Sequence, residues 1–409
     1  MDRRVKSDDE KGAIAVAGGR SQSSADRLQL LAVCLLSFST ALSDTAPSSL
    51  RPSIEKHYNA SHGLTSLLFV ANTIGFIIAA VFVDDATHYL GRGRTYLLCQ
   101  LLVALGHATL ACDPPLSAFV LAFFPIGFGA SFNLALGNVF CGSLGIWALG
   151  AMHGAYGIGA AINPLLVELT AQASWSQYYV LTLGLVLVSG TLAAYTFWNY
   201  EEEVELAEAE ARSGGKIDGE QARVDLQGML SAVSTRVVLM GAPFVLAYRV
   251  AEVSISGWGF SSPPPVTPSI NTGSVFWAGI TAGRFLLCTS QRVDARRIVY
   301  AAVVVAAAFE LFTWLGPNVV SNVTSAAVVG LLLGPVYPCA AAIFVSRMRE
   351  HERIGGIGVI SAFGSAGGAA APFTTGLVGP IMLHPIVIGL SGVMVSCWYG
   401  LPRKPKRME

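Results

Sequence analysis

The chain has 409 residues, of which 53% are hydrophobic and only 13% are charged, and its mean hydropathy is +0.56. In a soluble domain about a quarter of all residues are charged, so this composition predicts a protein embedded in a lipid bilayer. The 26 basic residues equal the 26 acidic residues in number. No electrostatic argument therefore supports nucleic acid as a partner.

The chain begins with a polar segment, residues 1–27, which is rich in Ser, Asp and Arg. It lacks the apolar centre of a signal peptide, so we expect a disordered cytosolic tail. Twelve apolar stretches follow, and most approach the ~20 residues that a helix needs to cross ~30 Å of hydrocarbon. They lie at about 28–48, 63–83, 95–112, 116–141, 147–170, 178–199, 236–257, 273–289, 297–315, 320–346, 355–379 and 381–400.

A charged segment, 200–235, divides these spans into two sets of six. It is too polar to enter lipid, so we interpret it as a cytosolic linker. The linker separates an N-terminal bundle, 28–199, from a C-terminal bundle, 236–400, and a basic cytosolic tail, 401–409, ends the chain. The predicted fold class is an all-α membrane protein with twelve transmembrane helices in two six-helix bundles.

The distribution of basic residues predicts an orientation. With twelve spans, both termini share one side with the loops after spans 2, 4, 6, 8 and 10. That side holds every Lys and Arg of the chain except four: Arg51, Lys56, Arg249 and Arg284. Because cytoplasmic loops are enriched in basic residues, we predict cytosolic termini. Two glycosylation sequons agree, with Asn59 in the first outer loop and Asn322 near the outer start of span 10.

No pattern in the sequence indicates a cofactor. The seven cysteines are scattered and have neither Cys-x-x-Cys nor Cys/His spacing. No phosphate-binding loop and no catalytic constellation occurs either. We therefore expect no metal, no cofactor and no enzymatic activity. If a chain of this kind moves a solute, its energy source must be a transmembrane gradient, or it uses no energy source at all.

Several motifs add to the six-plus-six arrangement. The loop after span 2 contains Asp84 and Asp85 followed by Gly-Arg-Gly-Arg at 91–94, and span 7 carries the run Tyr248–Trp258. Further matching segments are 42–59, 152–159, 330–338 and 361–367. Together they resemble the major facilitator superfamily, and within it a fungal branch related to fucose and glucose/galactose permeases. The resemblance covers residues 28–402. It implies two bundles that rock about a midplane site and the uptake of a sugar-like solute.

Two departures from that family pattern bear on function. Sugar permeases of this kind keep a polar, often acidic, centre in span 4, whereas Asn133–Asn138 contains no carboxylate. The loop signature of the second half keeps Gly283 and Arg284, but Ser-Gln-Arg at 290–292 replaces the expected Asp-Arg. Two alternatives therefore stay open. One is an efflux transporter that exports a small secondary metabolite, and the other is a non-transporting membrane receptor with the same fold.

Asp44, in span 1, is the candidate for proton coupling. A carboxylate at membrane depth is costly, which favours a functional role. Such a group could load and release a proton as the cavity alternates between the two sides of the membrane. The alternative interpretation is a helix-end carboxylate that caps the helix or pairs with Arg51.

Polar and aromatic residues in the spans are candidates for the solute cavity. Arg249 and Glu252 are three residues apart, so they share one face of span 7 and can pair. This pair is equally compatible with a purely structural role, and Trp258 is compatible with an anchor at the membrane interface. Asn163 precedes a proline that would interrupt span 5. The complete set is Asn133, Asn138, Tyr156, Asn163, Tyr248, Arg249, Glu252, Trp258 and Trp277.

Four residues are candidates for a cytoplasmic gate: Asp85, Arg92, Arg94 and Arg284. Arg92 and Arg94 could instead be plain topology signals. Glu310, in span 9, is interpreted as structural. We expect a monomer in the plasma membrane whose partners are a small-molecule solute, the lipid bilayer and, if transport is coupled, protons.

Overall fold

The computed structural model describes residues 24–170, 174–200, 235–258, 272–288, 294–316, 319–349, 352–378 and 382–402. The predicted cytosolic tails and the charged linker lie almost entirely outside these ranges. The described part of the chain is helical and contains no strand. This confirms the prediction of an all-α protein.

Twelve long helices correspond to the twelve predicted spans, and we number them α1 to α12. In the first half they are Ser24–Tyr58, Leu67–Leu90, Arg92–Ala111, Leu116–Leu144, Ile146–Thr170 and Ser176–Thr196. In the second half α7 is Arg236–Trp258, α8 is Thr272–Cys288 and α9 is Ala295–Leu315. Helix α10 has two segments, Val319–Leu333 and Val336–Arg347, and is followed by α11, Arg353–Val378, and α12, Leu383–Gly400. A one-turn helix, His62–Thr65, precedes α2.

Nine of the described helices are long and apolar enough to cross a membrane. The other three are α3, α5 and α8. Helix α8 has only 17 residues, and α3 begins with Arg92 and carries the buried polar residues Gln100 and His107. Helices α5 and α8 pack against each other between the two halves. Both helices therefore lie inside the protein along part of their length, where polar side chains and glycines face the other half.

Single glycines make the tightest turns between helices. Gly91 separates α2 from α3 with a φ of 74°, and Gly145 separates α4 from α5 with a φ of 116°. Residues with a Cβ rarely adopt positive φ, so glycine permits these reversals without strain. At α9, the Asp294 side chain instead caps the helix start and accepts a hydrogen bond from the Arg296 backbone N–H at 2.8 Å.

Each half contains an equivalent close helix pair. A Cβ at Gly127 of α4 would lie 2.1 Å from the Asn72 carbonyl oxygen of α2. In the second half, a Cβ at Gly283 of α8 would lie 2.1 Å from the Leu331 carbonyl oxygen of α10. Small residues let membrane helices approach to backbone contact. The α2–α4 and α8–α10 pairs occupy the same places in the two sets of six, as expected for two related bundles.

The two halves meet along α2 with α11 and along α5 with α8. We call the side where α1 begins and α12 ends the termini face, and the other side the opposite face. Near the termini face the halves are in contact, since a Cβ at Gly142 of α4 would lie 3.1 Å from Val345 and one at Gly358 of α11 would lie 3.1 Å from Val83. Towards the opposite face the halves separate around a cavity.

Helix α1 is much longer than a bilayer is thick. Its 35 residues span about 52 Å at 1.5 Å per residue, against ~30 Å of hydrocarbon. The end of α1 is held at the opposite face by two contacts. The Tyr58 hydroxyl donates to the Pro114 carbonyl oxygen at 2.5 Å, and His57 lies 3.2 Å from Asp113.

The close α2–α4 contact gives a test of the fold. We expect Gly127→Ala to lower the free energy of unfolding by about 1–3 kcal/mol, because the new Cβ must push the α2 backbone away. Thermal unfolding of the detergent-purified protein would measure the loss. Gly389→Ala, on α12, is the matched control because a Cβ there meets nothing within 4 Å. Equal melting temperatures for the two variants would contradict the packing described here.

Candidate functional site

A cavity of about 220 Å³ lies between the two halves, near the middle of the helical bundle. Helices α1, α2, α4 and α5 line it from the first half, and α7, α8, α10 and α11 line it from the second. Of the residues predicted to line a solute cavity, the structure brings seven to its wall, and Asp44 joins them. The seven are Asn133, Tyr156, Asn163, Tyr248, Arg249, Glu252 and Trp277.

Asp44 lies on the cavity wall in α1 and is half-buried. The Tyr156 hydroxyl, from α5, donates a hydrogen bond to the Asp44 carboxylate at 3.1 Å. Arg249, on the other half, interacts electrostatically with the same carboxylate. Within the described residues, the partner of Asp44 is therefore Tyr156 and not Arg51.

Glu252 is the centre of the charged cluster and its side chain is 0% exposed. One carboxylate oxygen pairs with Arg249 on the same helix, as the i,i+3 spacing predicts. The other oxygen lies 3.2 Å from the Arg284 guanidinium and accepts a hydrogen bond from the Tyr248 hydroxyl at 2.9 Å. One carboxylate thus neutralises part of the charge of two arginines.

Arg284 lies in this cluster, away from the termini face where a cytoplasmic gate was predicted. Helical side chains lean towards the N-terminus of their own helix, and α8 begins at the opposite face. The long Arg284 side chain therefore reaches into the cavity. Its Nη1 donates to the His153 carbonyl oxygen of α5 at 2.9 Å, and its guanidinium lies 5.9 Å from the centre of the Tyr156 ring. Arg284 links the two halves.

A second layer of polar residues supports the cavity wall. The His153 ring lies 4.8 Å from the Tyr337 ring, and its Nε2 is 3.0 Å from the Asn138 Oδ1. Asn138 is fully buried behind His153 and does not line the cavity, in contrast to its predicted position. Gln100, from α3, donates to the Asn133 side-chain oxygen at 2.9 Å and fixes that amide.

Asn163 connects three helices of the first half. Its Nδ2 donates to the Ser49 hydroxyl at 3.1 Å, and its Oδ1 accepts from the Tyr178 hydroxyl. The same hydroxyl also lies 3.0 Å from the Leu42 carbonyl oxygen. Asn163 thus braces the cavity wall as well as lining it, next to the proline that interrupts the backbone hydrogen bonds of α5.

The aromatic candidates differ in how they are placed. Trp277 lies at the cavity, with its ring centre 6.0 Å from that of Tyr156. The side chain of Trp258 lies outside the described part of the structure. Glu310, predicted to be structural, pairs with His384 at 2.6 Å between α9 and α12, away from the cavity.

The remaining gate candidates lie at the termini face. The Arg92 guanidinium is 4.3 Å from the Tyr200 ring centre, and the Arg94 guanidinium is 5.7 Å from that of Trp198. Both aromatic partners follow α6, so these contacts stay within the first half. Asp85 is half-buried at the end of α2. Its neighbour Asp84 faces the second half, because a Cβ at Gly355 in the first turn of α11 would lie 3.9 Å from the Asp84 Cβ.

The sequence interpretation missed two residues of the site, namely Arg284 as a cavity residue and His153. Spacing along the chain offered no signal for the cavity position of Arg284, because its partners His153 and Glu252 lie on other helices. For His153 there was a local signal, since it lies next to Gly154 in a motif already associated with the family. A histidine within a predicted span is costly against lipid, which favours a position inside the protein.

Comparison with known proteins identifies the family. A sequence model of the Major Facilitator Superfamily matches residues 33–287, more than half of the chain. The chain belongs to the major facilitator superfamily. Members of this superfamily transport small solutes, so this protein belongs to the general class of multi-pass membrane transporters.

One curated relative and two solved structures show how this superfamily member compares. "Bypass of stop codon protein 6" of Saccharomyces cerevisiae is 24% identical over 405 residues, covering 91% of this chain and 80% of the yeast protein. The transporter FucP in its outward conformation superposes with a TM-score of 0.67 at 15% identity, covering 93% of this chain and 100% of FucP. The human organic anion transporter MFSD10 gives 0.66 at 14% identity with the same coverage. These structural similarities establish the fold.

The charged cluster makes a prediction about stability. We expect Glu252→Gln to lower the free energy of unfolding by about 3–5 kcal/mol, because two guanidinium groups then lose their shared carboxylate in a buried site. Thermal unfolding in detergent would measure the change.

The matched control is Asp294→Asn, which removes an exposed ion pair with Arg297. We expect an effect below about 1 kcal/mol there, apart from any loss of the helix cap. A Glu252→Gln protein as stable as this control would show that the cluster does not support the fold.

Proposed function

We propose that this protein is a proton-coupled secondary transporter that moves a small, hydrophilic organic solute by alternating access. The observation that carries the proposal is the position of Asp44. Its carboxylate lies at the cavity wall in the first half, within the electrostatic field of Arg249 in the second half. A single proton on Asp44 therefore changes an interaction that acts between the two bundles.

The chemistry of the cavity wall supports a hydrophilic solute. Hydroxyl and amide groups can donate and accept hydrogen bonds with the same solute hydroxyl, and aromatic faces suit the apolar face of a sugar-like ring. The polar and aromatic groups that supply these contacts include Ser37, Thr40, Thr45, Ser48, Ser49, Asn72, Thr73, Asn133, Tyr156, Ser256, Trp277 and Ser365. An apolar metabolite would leave these hydrogen-bonding groups without partners, so uptake of a sugar-like solute is the better supported function.

The contacts between the halves suggest how the proton acts. The halves are joined near the cavity by Arg284 with the His153 carbonyl oxygen and by Thr73 with the Ser365 carbonyl oxygen at 3.5 Å. When Asp44 is protonated, its attraction to Arg249 is lost. The relative stability of the open and closed arrangements of the two halves then changes. Binding of proton and solute would then favour closure at the opposite face, and release would follow at the termini face.

Transport by an Asp44→Asn variant tests the coupling. In proteoliposomes loaded with a pH gradient, we expect the variant to lose solute accumulation while it keeps exchange of solute across a membrane without a gradient. The amide is isosteric with the protonated acid but cannot release a proton. The assay would use a panel of radiolabelled hexoses, small polyols and hexose-derived acids, with Arg297→Gln as the surface control. Undiminished accumulation by Asp44→Asn would show that Asp44 does not couple transport to protons. If the wild-type protein carries no member of the panel, the receptor alternative is favoured.

The orientation is a separate proposal: both termini cytosolic, in the plasma membrane. It implies that Asn59, exposed just beyond the ordered end of α1, faces the glycosylating compartment. We expect Asn59→Gln to abolish a mobility shift that an endoglycosidase also removes, since α1 carries Asn59 well clear of the hydrocarbon. Asn322 is half-buried within α10 with its Oδ1 enclosed. Asn322→Gln should therefore leave the mobility unchanged, and the reverse pattern would contradict this orientation.

A further inference from the structure

The charges around the cavity are balanced only while Asp44 is ionised. The structure brings two carboxylates and two guanidinium groups together here, and the Arg249 and Arg284 pair shares Glu252. Protonation of Asp44 leaves two cations against one anion. Uncompensated charge at membrane depth is costly, so the protonated state favours another negative charge nearby.

No other described side chain at the cavity supplies that charge. The titratable and charged groups that face Asp44 and Arg249 come from α1, α5, α7, α8 and α10, while α2, α4 and α11 contribute none. They are Asp44, His153, Tyr156, Tyr248, Arg249, Glu252, Arg284 and Tyr337. Glu252 already serves both arginines, and a neutral imidazole or phenol cannot replace the charge of Asp44. The missing anion must come from the solute.

Arg249 is the arginine that can receive it. Arg284 is 3% exposed, whereas the Arg249 side chain is 24% exposed and opens to the cavity. Arg249 uses Nη1 for its pair with Glu252. Its Nη2 and Nε lie beside Gly368 of α11, at 3.7 and 3.9 Å from where a Cβ would be. The absent side chain at this position leaves the Nε–Nη2 edge uncovered.

That edge has the geometry for a carboxylate. The guanidinium group presents its N–H donors in a planar fork that matches the two oxygens of a carboxylate. A monocarboxylate also carries the single negative charge that protonation of Asp44 removes. A phosphate monoester would carry nearly two charges and overcompensate the site.

We infer that the transported solute is a small hydroxylated monocarboxylate of the sugar-acid type, bound through the Nε–Nη2 edge of Arg249 when Asp44 holds a proton. The inference rests on the proposed function, since it assigns the solute of the same proton-coupled site. Transport moves one proton on the Asp44 carboxylate and one organic anion together. The cycle is therefore electrically neutral, whereas symport of a proton with a neutral sugar would move one positive charge.

The experiment compares matched probes on the purified full-length protein in proteoliposomes. D-galacturonate is paired with D-galactose and D-gluconate with D-glucose, each pair differing mainly in the carboxylate. We expect pH-driven uptake of an acid with little uptake of its neutral partner. A potassium gradient with valinomycin sets the membrane potential, and we expect uptake of the acid not to change when that potential is reversed.

Variants of Arg249 and its neighbour report on the binding edge. We expect Arg249→Gln to reduce uptake of the acid by about 10- to 100-fold, the range for a hydrogen bond to a charged group. Arg249→Lys keeps the charge but loses the fork, so its loss should be smaller. Gly368→Ala places a methyl group against the same edge and should weaken binding without removing charge. Arg297→Gln, on an 87% exposed side chain, is the control and should leave uptake unchanged.

Binding measured by thermal stabilisation in detergent separates charge from folding. We expect galacturonate to stabilise the wild-type protein more at pH 5 than at pH 8, because protonation of Asp44 removes the competing carboxylate. Asp44→Asn should be stabilised equally at both pH values. Arg249→Gln should fold, since Arg284 still pairs with Glu252, but should not respond to the acid.

Each outcome decides between the proposals. The anion inference is wrong if a neutral sugar is taken up in response to pH as well as its acid is, or if Arg249→Gln transports the acid normally. In either case the proposal of a proton-coupled transporter still stands. If uptake of the acid follows the membrane potential, the paired movement of one proton and one anion is wrong. If no probe is bound or carried by the wild-type protein, both the sugar-acid inference and the proposed sugar-like uptake are overturned.

Discussion

A single buried carboxylate organises the centre of this transporter. Glu252 holds Arg249 on its own helix and Arg284 on the next, and Arg284 in turn reaches the backbone of α5 in the other half. Two arginines at membrane depth would be expensive without it. The cluster joins α7 to α8, and through Arg284 it also joins the two halves near the midplane. The cavity is the space that remains around it.

Glycines give the rest of the structure its shape. Backbone contact at Gly127 draws α2 onto α4, and the equivalent contact at Gly283 draws α8 onto α10. Between the halves, Gly154 and Gly157 of α5 receive Phe285 and Thr281 of α8. These contacts bring the helices of the two halves close together where the glycines lack a side chain. The described conformer is packed at the termini face and open towards the opposite face.

The sequence predicted the helices well because the signal for a span is local. Hydropathy acts on each stretch independently of its partners, so even the shortest, α8, was placed within a few residues. The i,i+3 pair of Arg249 and Glu252 was also predictable from helical spacing alone. The partners of Arg284 were not, because they lie on other helices, one of them 32 residues away in the sequence. Asn138 was misplaced for a related reason, since hydropathy cannot tell the cavity wall from the layer behind it.

The loss of an acid from α4 can be reconsidered in terms of charge. Asn133 and Asn138 are neutral, so Asp44 is the carboxylate of the first half at the cavity, facing two arginines and Glu252 of the second half. Adding a second acid to the first half would bring the site to an excess of negative charge while Asp44 is ionised. The present set reaches neutrality with one ionised acid on each half. The absence of an acid from α4 therefore accompanies a site whose two arginines are already balanced by Asp44 and Glu252.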